Sequence, residues 1–475
     1  MEFLMVPPIS LKSPAAAISI IHFVAAAAVT AHALINKRDV PAAIGWIGIA
    51  WLAPFSGALL YFAFGVNRVK RRARLLMGLD RNLPPPVTGH VSSDDPTERL
   101  KMAIGKITGQ DVEACAAIAV LDSGNEAYPQ MLAAIEGATS GIALSTYIFR
   151  DDDLGRRFIG ALTGAHRRGV RVRVLIDGVG GGFLRSTAYH RLREQGVPVA
   201  RFLHSVLPWR MPMLNLRLHK KILVVDAHTA FVGGLNIGAE NLGELQRKAA
   251  VRDTHFRVEG TVVQQIEQDF EEDWSFTTGE PSIDRSSAPT RSAGAGAEAR
   301  TIVAGPDQDV DQLVLVLLSG INLARHSIKI ATPYFLPDEQ LLTALQLATL
   351  RGVDVRLVLP AVNNHRLVGW AARAHIRPLL QMGCRVWRSP APFDHTKLMT
   401  IDGTWSLIGS ANWDMRSLRL NFELTVELYD AAFAERIAGI IDGRCVEPVS
   451  LREIDGRWLI FKLRDAAARL MSPYL

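Results

Sequence analysis

Two long apolar segments lie at the start of the chain, and neither contains a charged residue. They cover residues 13–36 and 41–66, and each exceeds the roughly 20 helical residues that cross a hydrocarbon core of about 30 Å. A basic cluster follows the second segment: Arg68, Lys70, Arg71, Arg72 and Arg74. Such an excess marks the cytoplasmic side. The pattern predicts a two-helix transmembrane hairpin with a basic juxtamembrane cluster over residues 1–75, and a cleavable signal peptide is the alternative for the first segment.

After a proline-containing connector over residues 76–109, one pattern occurs twice. A β-rich run that ends in aromatic residues covers 141–150 and again 327–336. In each case a helical stretch follows, and then a strand that begins with glycine, at 169–178 and 352–361. Strand, helix and strand in this order predict α/β units with parallel strand pairing.

The repeat predicts an α/β fold class with two pseudo-symmetric halves that form one catalytic unit. The halves span residues 110–276 and 301–450. Between them, residues 277–300 are rich in Ser, Gly, Ala and Pro, a composition that is typical of a flexible linker.

The last segment, residues 451–475, predicts an amphipathic helix. Leu459, Leu463 and Leu470 fall on one apolar stripe, and most of the charged residues fall outside it. Such a helix can dock on the protein's own core or on a membrane surface, and the sequence leaves both readings open.

Composition narrows the class of protein. Hydrophobic residues make up 48% of the 475 residues and charged residues 21%, which excludes a disordered chain and a coiled coil. Lys and Arg exceed Asp and Glu by 53 to 47, a net charge of +6. We therefore expect an anionic partner, although charge alone does not decide between nucleic acid and a membrane. The three cysteines are far apart, which argues against a disulfide framework or a zinc cluster.

Polar residues recur at one spacing in both halves. The first half contains His219, Lys221, Asp226, Gly233, Gly234 and Asn236, and the second half contains His395, Lys397, Asp402, Gly409, Ser410 and Asn412. Because the same spacing occurs at matching places in the two repeats, we take these as candidate site residues. An H-x-K triplet on a strand places its imidazole and its ammonium on the same face.

Together the two motifs supply the groups that phosphodiester chemistry needs. The lysines can offset the charge of the transition state and the asparagines can donate hydrogen bonds, so neither a metal nor another cofactor is expected. A neutral imidazole can attack phosphorus while a protonated one gives its proton to the leaving alkoxide. Each ring is best oriented by an acid that bonds its other nitrogen. The candidate acids are Asp253 and Glu423, one downstream of each motif.

On these motifs, the chain resembles the phospholipase D superfamily and, within it, the bacterial cardiolipin synthases. The narrower resemblance rests on the N-terminal apolar pair with its trailing arginines, on residues 233–239 and 252–260, and on the closing residues 472–475. The resemblance implies that His219 forms a covalent phosphatidyl-histidine and that His395 acts first as acid and then as base.

The resemblance also implies roles for the other motif residues. The residues implied to hold the substrate phosphate are Lys221, Lys397, Asn236 and Asn412, together with Gly233 and Ser410. Asp253 and Glu423 would orient the histidines. Asp226 and Asp402 belong to the catalytic motifs, but in relatives such aspartates are structural supports.

The implied function is synthesis of cardiolipin, in which a phosphatidyl group moves from one phosphatidylglycerol to another and glycerol is released. The implied location is the bacterial plasma (inner) membrane, as a multi-pass protein with its catalytic part in the cytoplasm. The expected partners are phospholipid substrates and the anionic membrane, without nucleic acid, and a homodimer is left open. A membrane-anchored hydrolase, a phosphodiesterase or nuclease of the same superfamily, and a lipid-binding scaffold are the alternatives.

Overall fold

The computed structural model describes residues 14–37, 40–53, 55–65, 94–183, 185–204, 216–243, 250–281, 296–305 and 311–472. Internal contacts divide the chain into two compact units, Met1–Arg72 and Ala73–Leu475. The basic cluster after the second apolar segment lies outside the described residues, as does most of the connector.

In the first unit, the first apolar segment forms a single helix, α1 (Pro14–Asn36). The second segment is divided among α2 (Val40–Leu52), α3 (Ser56–Leu60) and a π-helical turn at Tyr61–Gly65. Pro54 falls between α2 and α3 in the sequence, and a proline removes a helical hydrogen bond and clashes with the preceding turn. Within the described residues, therefore, one helix and not two has the length and hydropathy of a full membrane span.

Small residues bring α1 and α2 close together. Ala26 and Ala33 of α1 are buried in one cluster with Ala50 of α2, while large side chains such as Phe23 and Leu34 are exposed. A helix pair with small residues inside and large apolar residues outside is typical of packing in lipid, where close backbone approach supplies the attraction.

A mixed sheet of fifteen strands runs through the described part of the second unit. The first-half strands are β1 (Glu113–Leu121), β2 (Gly141–Thr146), β3 (Arg171–Asp177), β4 (Val199–Phe202), β5 (Ile222–Val225), β6 (Thr229–Gly233), β7 (Val251–Arg252) and β8 (His255–Gly260). The second-half strands are β9 (Ala297–Ala304), β10 (Ser327–Ala331), β11 (Phe335–Leu336), β12 (Asp354–Pro360), β13 (Arg385–Ser389), β14 (Phe393–Asp394), β15 (Leu398–Ile401), β16 (Trp405–Gly409), β17 (Trp413–Asp414), β18 (Glu423–Tyr429) and β19 (Glu447–Val449). Two short ladders, β7 with β14 and β11 with β17, lie outside the sheet.

The centre of the sheet is the antiparallel pair of β1 and β9. Outward from this pair the order is β1, β8, β6, β5, β2, β3, β4 on one side and β9, β18, β16, β15, β10, β12, β13, β19 on the other. The strand–helix–strand units predicted from the sequence are parallel, since β2 pairs parallel with β3 and β10 with β12. The neighbouring pairs, β2 with β5 and β10 with β15, are antiparallel.

Helices cover both faces of the sheet, as mixed α/β sheets require. In the second unit they are α4 (Pro96–Thr108), α5 (Gly124–Gly137), α6 (Asp153–Arg167), α7 (Thr187–Glu194), α8 (Val262–Thr278), α9 (Gln312–Leu323), α10 (Glu339–Leu350), α11 (Arg366–Gln381), α12 (Met415–Arg419), α13 (Ala431–Gly443), α14 (Leu451–Asp455) and α15 (Leu459–Leu470). A short 3₁₀ helix covers Ala239–Asn241.

Two elements of the second unit begin outside the residue ranges expected for the two halves. Helix α4 lies in the predicted connector, yet its Leu100 and Ile104 are buried in the core of the second half. Strand β9 begins at Ala297, inside the predicted linker, because its apolar residues complete the centre of the sheet. A further core cluster contains first-half and second-half residues together, Phe256 and Phe433 among them. The two halves therefore share one hydrophobic interior.

Candidate active site

His219 and His395 face each other across one cavity. Their ring centroids are 6.5 Å apart and the ring planes are nearly perpendicular, at 81°. Both rings line a cavity of about 950 Å³, together with Asn236 and Asn412. Two rings at this separation can both come within about 3–3.5 Å of a single atom placed between them, the distance of a near-attack geometry.

Each histidine is attached through its backbone to the opposite half. The N–H of His219 donates to the carbonyl of Phe422 at 2.9 Å, and the N–H of His395 donates to that of Arg252 at 2.7 Å. The H-x-K triplets consequently precede β5 and β15 and do not lie on these strands. The prediction that the triplets lie on strands is wrong, although each lysine still lies beside the histidine of its own triplet.

The two rings are oriented by carboxylates that cross between the halves. Nδ1 of His219 lies 2.9 Å from the Glu423 carboxylate, and Nδ1 of His395 lies 2.7 Å from that of Asp253. Both acids are fully buried. A hydrogen bond from Nδ1–H to a carboxylate fixes the tautomer in which Nε2 carries the free lone pair. The sequence identified both acids as candidates without indicating that each serves the histidine of the other half.

The two carboxylates are supported differently. The hydroxyl of Ser410 donates to Glu423 at 2.6 Å. In the first half Gly234 takes the corresponding position, and a Cβ there would lie 2.2 Å from the Asp253 carboxylate oxygens. The shorter acid thus occupies the space that a side chain at residue 234 would need.

Two residues expected to hold the substrate phosphate are placed elsewhere. Ser410 is buried and bonds Glu423 and the Leu424 carbonyl, and neither it nor Gly233 lines the cavity. Gly233, at φ 151°, allows β6 and β8 to approach, since a Cβ would lie 2.6 Å from His255 Nδ1. Gly233 therefore allows the close backbone approach, and Ser410 holds the Glu423 carboxylate.

The motif lysines are buried beside the rings. Lys221 Nζ donates to the carbonyl of His219 at 2.6 Å. Lys397 Nζ donates to the carbonyl of His395 and lies 2.7 Å from His395 Nδ1 and 3.8 Å from Asp253. Burial lowers the pKa of Lys221 to about 7 and the pKa of Lys397 to about 8. Two lysines buried beside the rings favour an anionic ligand, because a negative charge stabilises their protonated forms.

The histidines are neutral at pH 7 in this arrangement. Burial lowers the pKa of His219 to about 4 and the pKa of His395 to about 3, and Lys397 adds to the effect at His395. Burial alone would raise the pKa of Asp253, but Lys397 and His395 lower it below its usual range. The buried acids therefore remain ionised and act as hydrogen-bond acceptors for neutral rings.

The motif aspartates lie outside the cavity wall. Asp226 accepts hydrogen bonds from the N–H groups of Thr139, Ser140 and Gly141, at 2.7–2.9 Å. Asp402 does the same for residues 325–327 in the second half, each at 2.8 Å. Burial acts to raise the pKa of Asp226, but these bonds lower it to about 2. Each aspartate accepts hydrogen bonds from the backbone at the start of a strand. These contacts support the structural role implied by the resemblance, and they do not support a direct catalytic role.

Several cavity residues were missed by the motif search. Tyr147 and Tyr334 stand edge-on to His219 and His395, with centroids 5.3 and 6.0 Å from the rings. They lie at the aromatic ends of the two repeated β-rich runs, and this repetition in the sequence could have marked them as site residues. Arginines also line the cavity, namely Arg150, Arg217, Arg366 and Arg416. No spacing pattern marks these arginines, because they come from loops and helices of both halves.

Comparison with known proteins identifies the family. The sequence model described as "Cardiolipin synthase, PLD-like domain" matches residues 131–274 and 317–444, more than half of the chain. The chain belongs to this family. Within the PLD-like cardiolipin synthase family, the chain is 33% identical to the cardiolipin synthase of Geobacillus kaustophilus (strain HTA426) over 453 residues, which cover 93% of this chain and 90% of that protein. It is 31% identical to the major cardiolipin synthase ClsA of Bacillus subtilis (strain 168), over 93% of this chain and 95% of the relative.

A solved structure has the same fold as this PLD-like family member. The phosphatidylserine synthase of Haemophilus influenzae Rd KW20 superposes with a TM-score of 0.61, over 80% of this chain and all of that chain, at 15% identity. At that identity the likeness concerns the fold alone. It supports a mixed α/β architecture for this chain.

Proposed function

We propose that this protein is a cardiolipin synthase, a phosphatidyltransferase that moves a phosphatidyl group from one phosphatidylglycerol to another and releases glycerol. The observation that carries the proposal is the pair of carboxylate-oriented imidazoles at 6.5 Å in one cavity, within a chain that belongs to the family. Cationic residues of the wall, such as Arg217 and Arg366, suit an anionic phospholipid.

In the first step, Nε2 of His219 attacks phosphorus and an N–P bond forms. The bond from phosphorus to the oxygen of the head-group glycerol breaks, and that oxygen takes a proton from His395. Lys221 and Lys397 offset the charge that develops on the phosphoryl oxygens. Asn236 is suited to donate to these oxygens, since its own Oδ1 already accepts from the Ile148 N–H at 3.1 Å.

In the second step, the head-group hydroxyl of another phosphatidylglycerol gives its proton to His395. Its oxygen bonds phosphorus, the N–P bond to His219 breaks, and cardiolipin forms. One phosphodiester replaces another, so the exchange needs no nucleotide. His395 must be protonated for the first step, and the negative phosphodiester supplies the charge that raises its lowered pKa on binding.

We further propose that the two halves are copies related by pseudo-symmetry and that α1 to α3 form a membrane hairpin. The first idea is supported by the matching strand order outward from β1 and β9 and by the matching motif spacing. The second is supported by the spanning length of α1 and its packing on α2. On this proposal the protein resides in the bacterial plasma membrane with its catalytic part in the cytoplasm.

A product assay tests the proposed function. Purified full-length protein is given phosphatidylglycerol labelled in the head-group glycerol, and the lipids and free glycerol are separated. We expect cardiolipin and free glycerol in equal amounts, and neither product from a His219→Asn variant. Phosphatidic acid with free glycerol, and no cardiolipin, would instead indicate a hydrolase and contradict the proposal.

A further inference from the structure

Helix α15 exposes its apolar stripe. Leu459, Leu463 and Leu470 lie on one face of the helix, and their exposed fractions are 70%, 57% and 75%. On the opposite face, Asp465 and Ala468 are buried. The helix therefore contacts the protein through small and polar residues and presents its large apolar residues to the surroundings.

The buried face is held firmly on α11. Ala468 is in a cluster with Val368, Ala371 and Ala372 of α11. The guanidinium of Arg464 lies 4.2 Å from the centroid of the Trp370 ring. Because these contacts use the inner face of α15, turning the leucine stripe inward would break them.

An ionic contact with α11 favours the same orientation, since Asp465 of α15 lies 4.0 Å from Arg373 of α11. Asp465 pairs with Arg457 and with Arg464, the latter at 2.8 Å. Ser472 Oγ lies 3.3 Å from Nε2 of His375, which is also on α11. The apolar stripe thus stays exposed in the folded second unit.

Charged and aromatic residues surround this stripe. Lys462 and Arg469 lie on its flank and are exposed, and Trp458, 79% exposed, precedes the first turn. An exposed apolar stripe with a Trp at its end and basic residues at its side is typical of helices that lie in a membrane interface. The positive flank matches anionic head groups, so a bilayer and not another protein is the occupant that the chemistry favours.

The same supporting helix also lines the candidate active site. Arg366, Leu367 and Val368 of α11 line the cavity, and Val368 also contacts the α15 cluster. We propose that α15 lays Leu459, Leu463 and Leu470 into an anionic bilayer and thereby holds the cavity beside the membrane that contains its substrates. The link to substrates rests on the proposed function, whereas the docking itself does not.

A depth measurement tests the docking without using turnover. In full-length protein carrying Cys445→Ala, the environment-sensitive dye NBD is attached to Leu463→Cys or, as matched control, to Leu350→Cys on α10, which is 66% exposed. The protein is placed in nanodiscs that contain phosphatidylglycerol and lipids with a nitroxide quencher on the acyl chain. We expect strong quenching and a blue-shifted emission at residue 463 and neither at residue 350. Equal quenching at both positions, or none at residue 463, would overturn the proposal, as would protection of residue 463 by contact with a second copy.

A kinetic measurement adds the functional consequence. The double variant Leu459→Ser, Leu463→Ser should raise the apparent KM for phosphatidylglycerol in bilayers on the order of tenfold. Its turnover of detergent-dispersed substrate should stay at the wild-type value. Leu350→Ser should change neither quantity. An unchanged KM in bilayers would contradict the proposal, while absence of cardiolipin from every variant and from wild type would count against the proposed function alone.

Discussion

At the scale of single residues, each imidazole depends on one buried carboxylate, and the two carboxylates are supported in different ways. Glu423 accepts hydrogen bonds from Ser410 and, at 3.2 Å, from Asn421. Asp253 instead accepts from its neighbouring Thr254 N–H at 2.8 Å and lies against Gly234. Two polar side chains therefore donate to Glu423, whereas a backbone N–H donates to Asp253.

This difference yields a prediction for Glu423. Because a neutral amide cannot stabilise the tautomer and charge of His219 as a carboxylate does, we expect Glu423→Gln to lower kcat by on the order of 10²–10⁴-fold. Ser410→Ala keeps the carboxylate and removes one support, so its loss should be nearer tenfold. Steady-state assays with phosphatidylglycerol measure both values. A Glu423→Gln enzyme with the wild-type kcat would contradict the assignment of Glu423 as the orienting acid.

The lysines predict a pH dependence of substrate binding. Lys221 and Lys397, with pKa values of about 7 and about 8, carry full charge below this range and lose it above. Phosphodiester binding favours the charged forms, so affinity is retained at lower pH and lost as pH rises through about 7 to 8. We expect KM for phosphatidylglycerol to increase across this range. A KM that stays constant between about pH 6 and pH 9 would contradict the lysine assignment.

The sequence could predict some of these residues and not others. His219 and His395 were found because one spacing occurs twice, and the two acids because each follows a motif in a strand-like run. Which acid serves which ring depends on how the halves meet, since the bonds of His219 to Phe422 and of His395 to Arg252 cross the interface. Spacing along the chain carries no information about that interface.

At the scale of elements, the carboxylates of Asp226 and Asp402 accept hydrogen bonds from the backbone at the starts of β2 and β10. Removing Asp226 leaves three backbone N–H groups without their acceptor, so Asp226→Ala should lower the free energy of unfolding by about 1–3 kcal/mol. The protein that remains folded should keep its kcat. Thermal unfolding in detergent and a parallel activity assay measure both, with Asp402→Ala as the matched variant. An Asp226→Ala protein that melts like wild type but lacks activity would restore a catalytic role to this residue.

The C-terminal helix illustrates the limit of periodicity at this scale. The apolar stripe with Leu459 and Leu463 was predicted from spacing alone. It lies on α15, whereas the start of the same segment, Leu451–Asp455, forms the separate helix α14. Spacing does not tell which face is covered, and the protein covers the face with Asp465 and Ala468. The deciding features are Arg373 and the small residues Ala371 and Ala372 of α11, which lie about 90 positions earlier in the chain.

At the scale of the whole molecule, the site exists only where the two halves meet. Arg444, in the second half, donates to Asp122 at 2.8 Å and to Thr254 at 3.0 Å in the first half, and to Asp394 at 3.1 Å in its own half. Thr254 and Asp394 are the neighbours of Asp253 and His395 in sequence. A buried cation thus ties together the segments that carry one acid and the ring it orients, which makes the site a property of the assembled second unit.

The central claim is that two imidazoles with different roles act on one phosphorus. The most direct test uses a phosphatidyl p-nitrophenol substrate, whose leaving group needs no acid. In His395→Asn protein we expect a burst of nitrophenolate equal in amount to the enzyme and a phosphatidyl label on the peptide that contains His219. In His219→Asn protein we expect neither. A burst that persists in the His219→Asn protein, with the label on His395, would contradict the account.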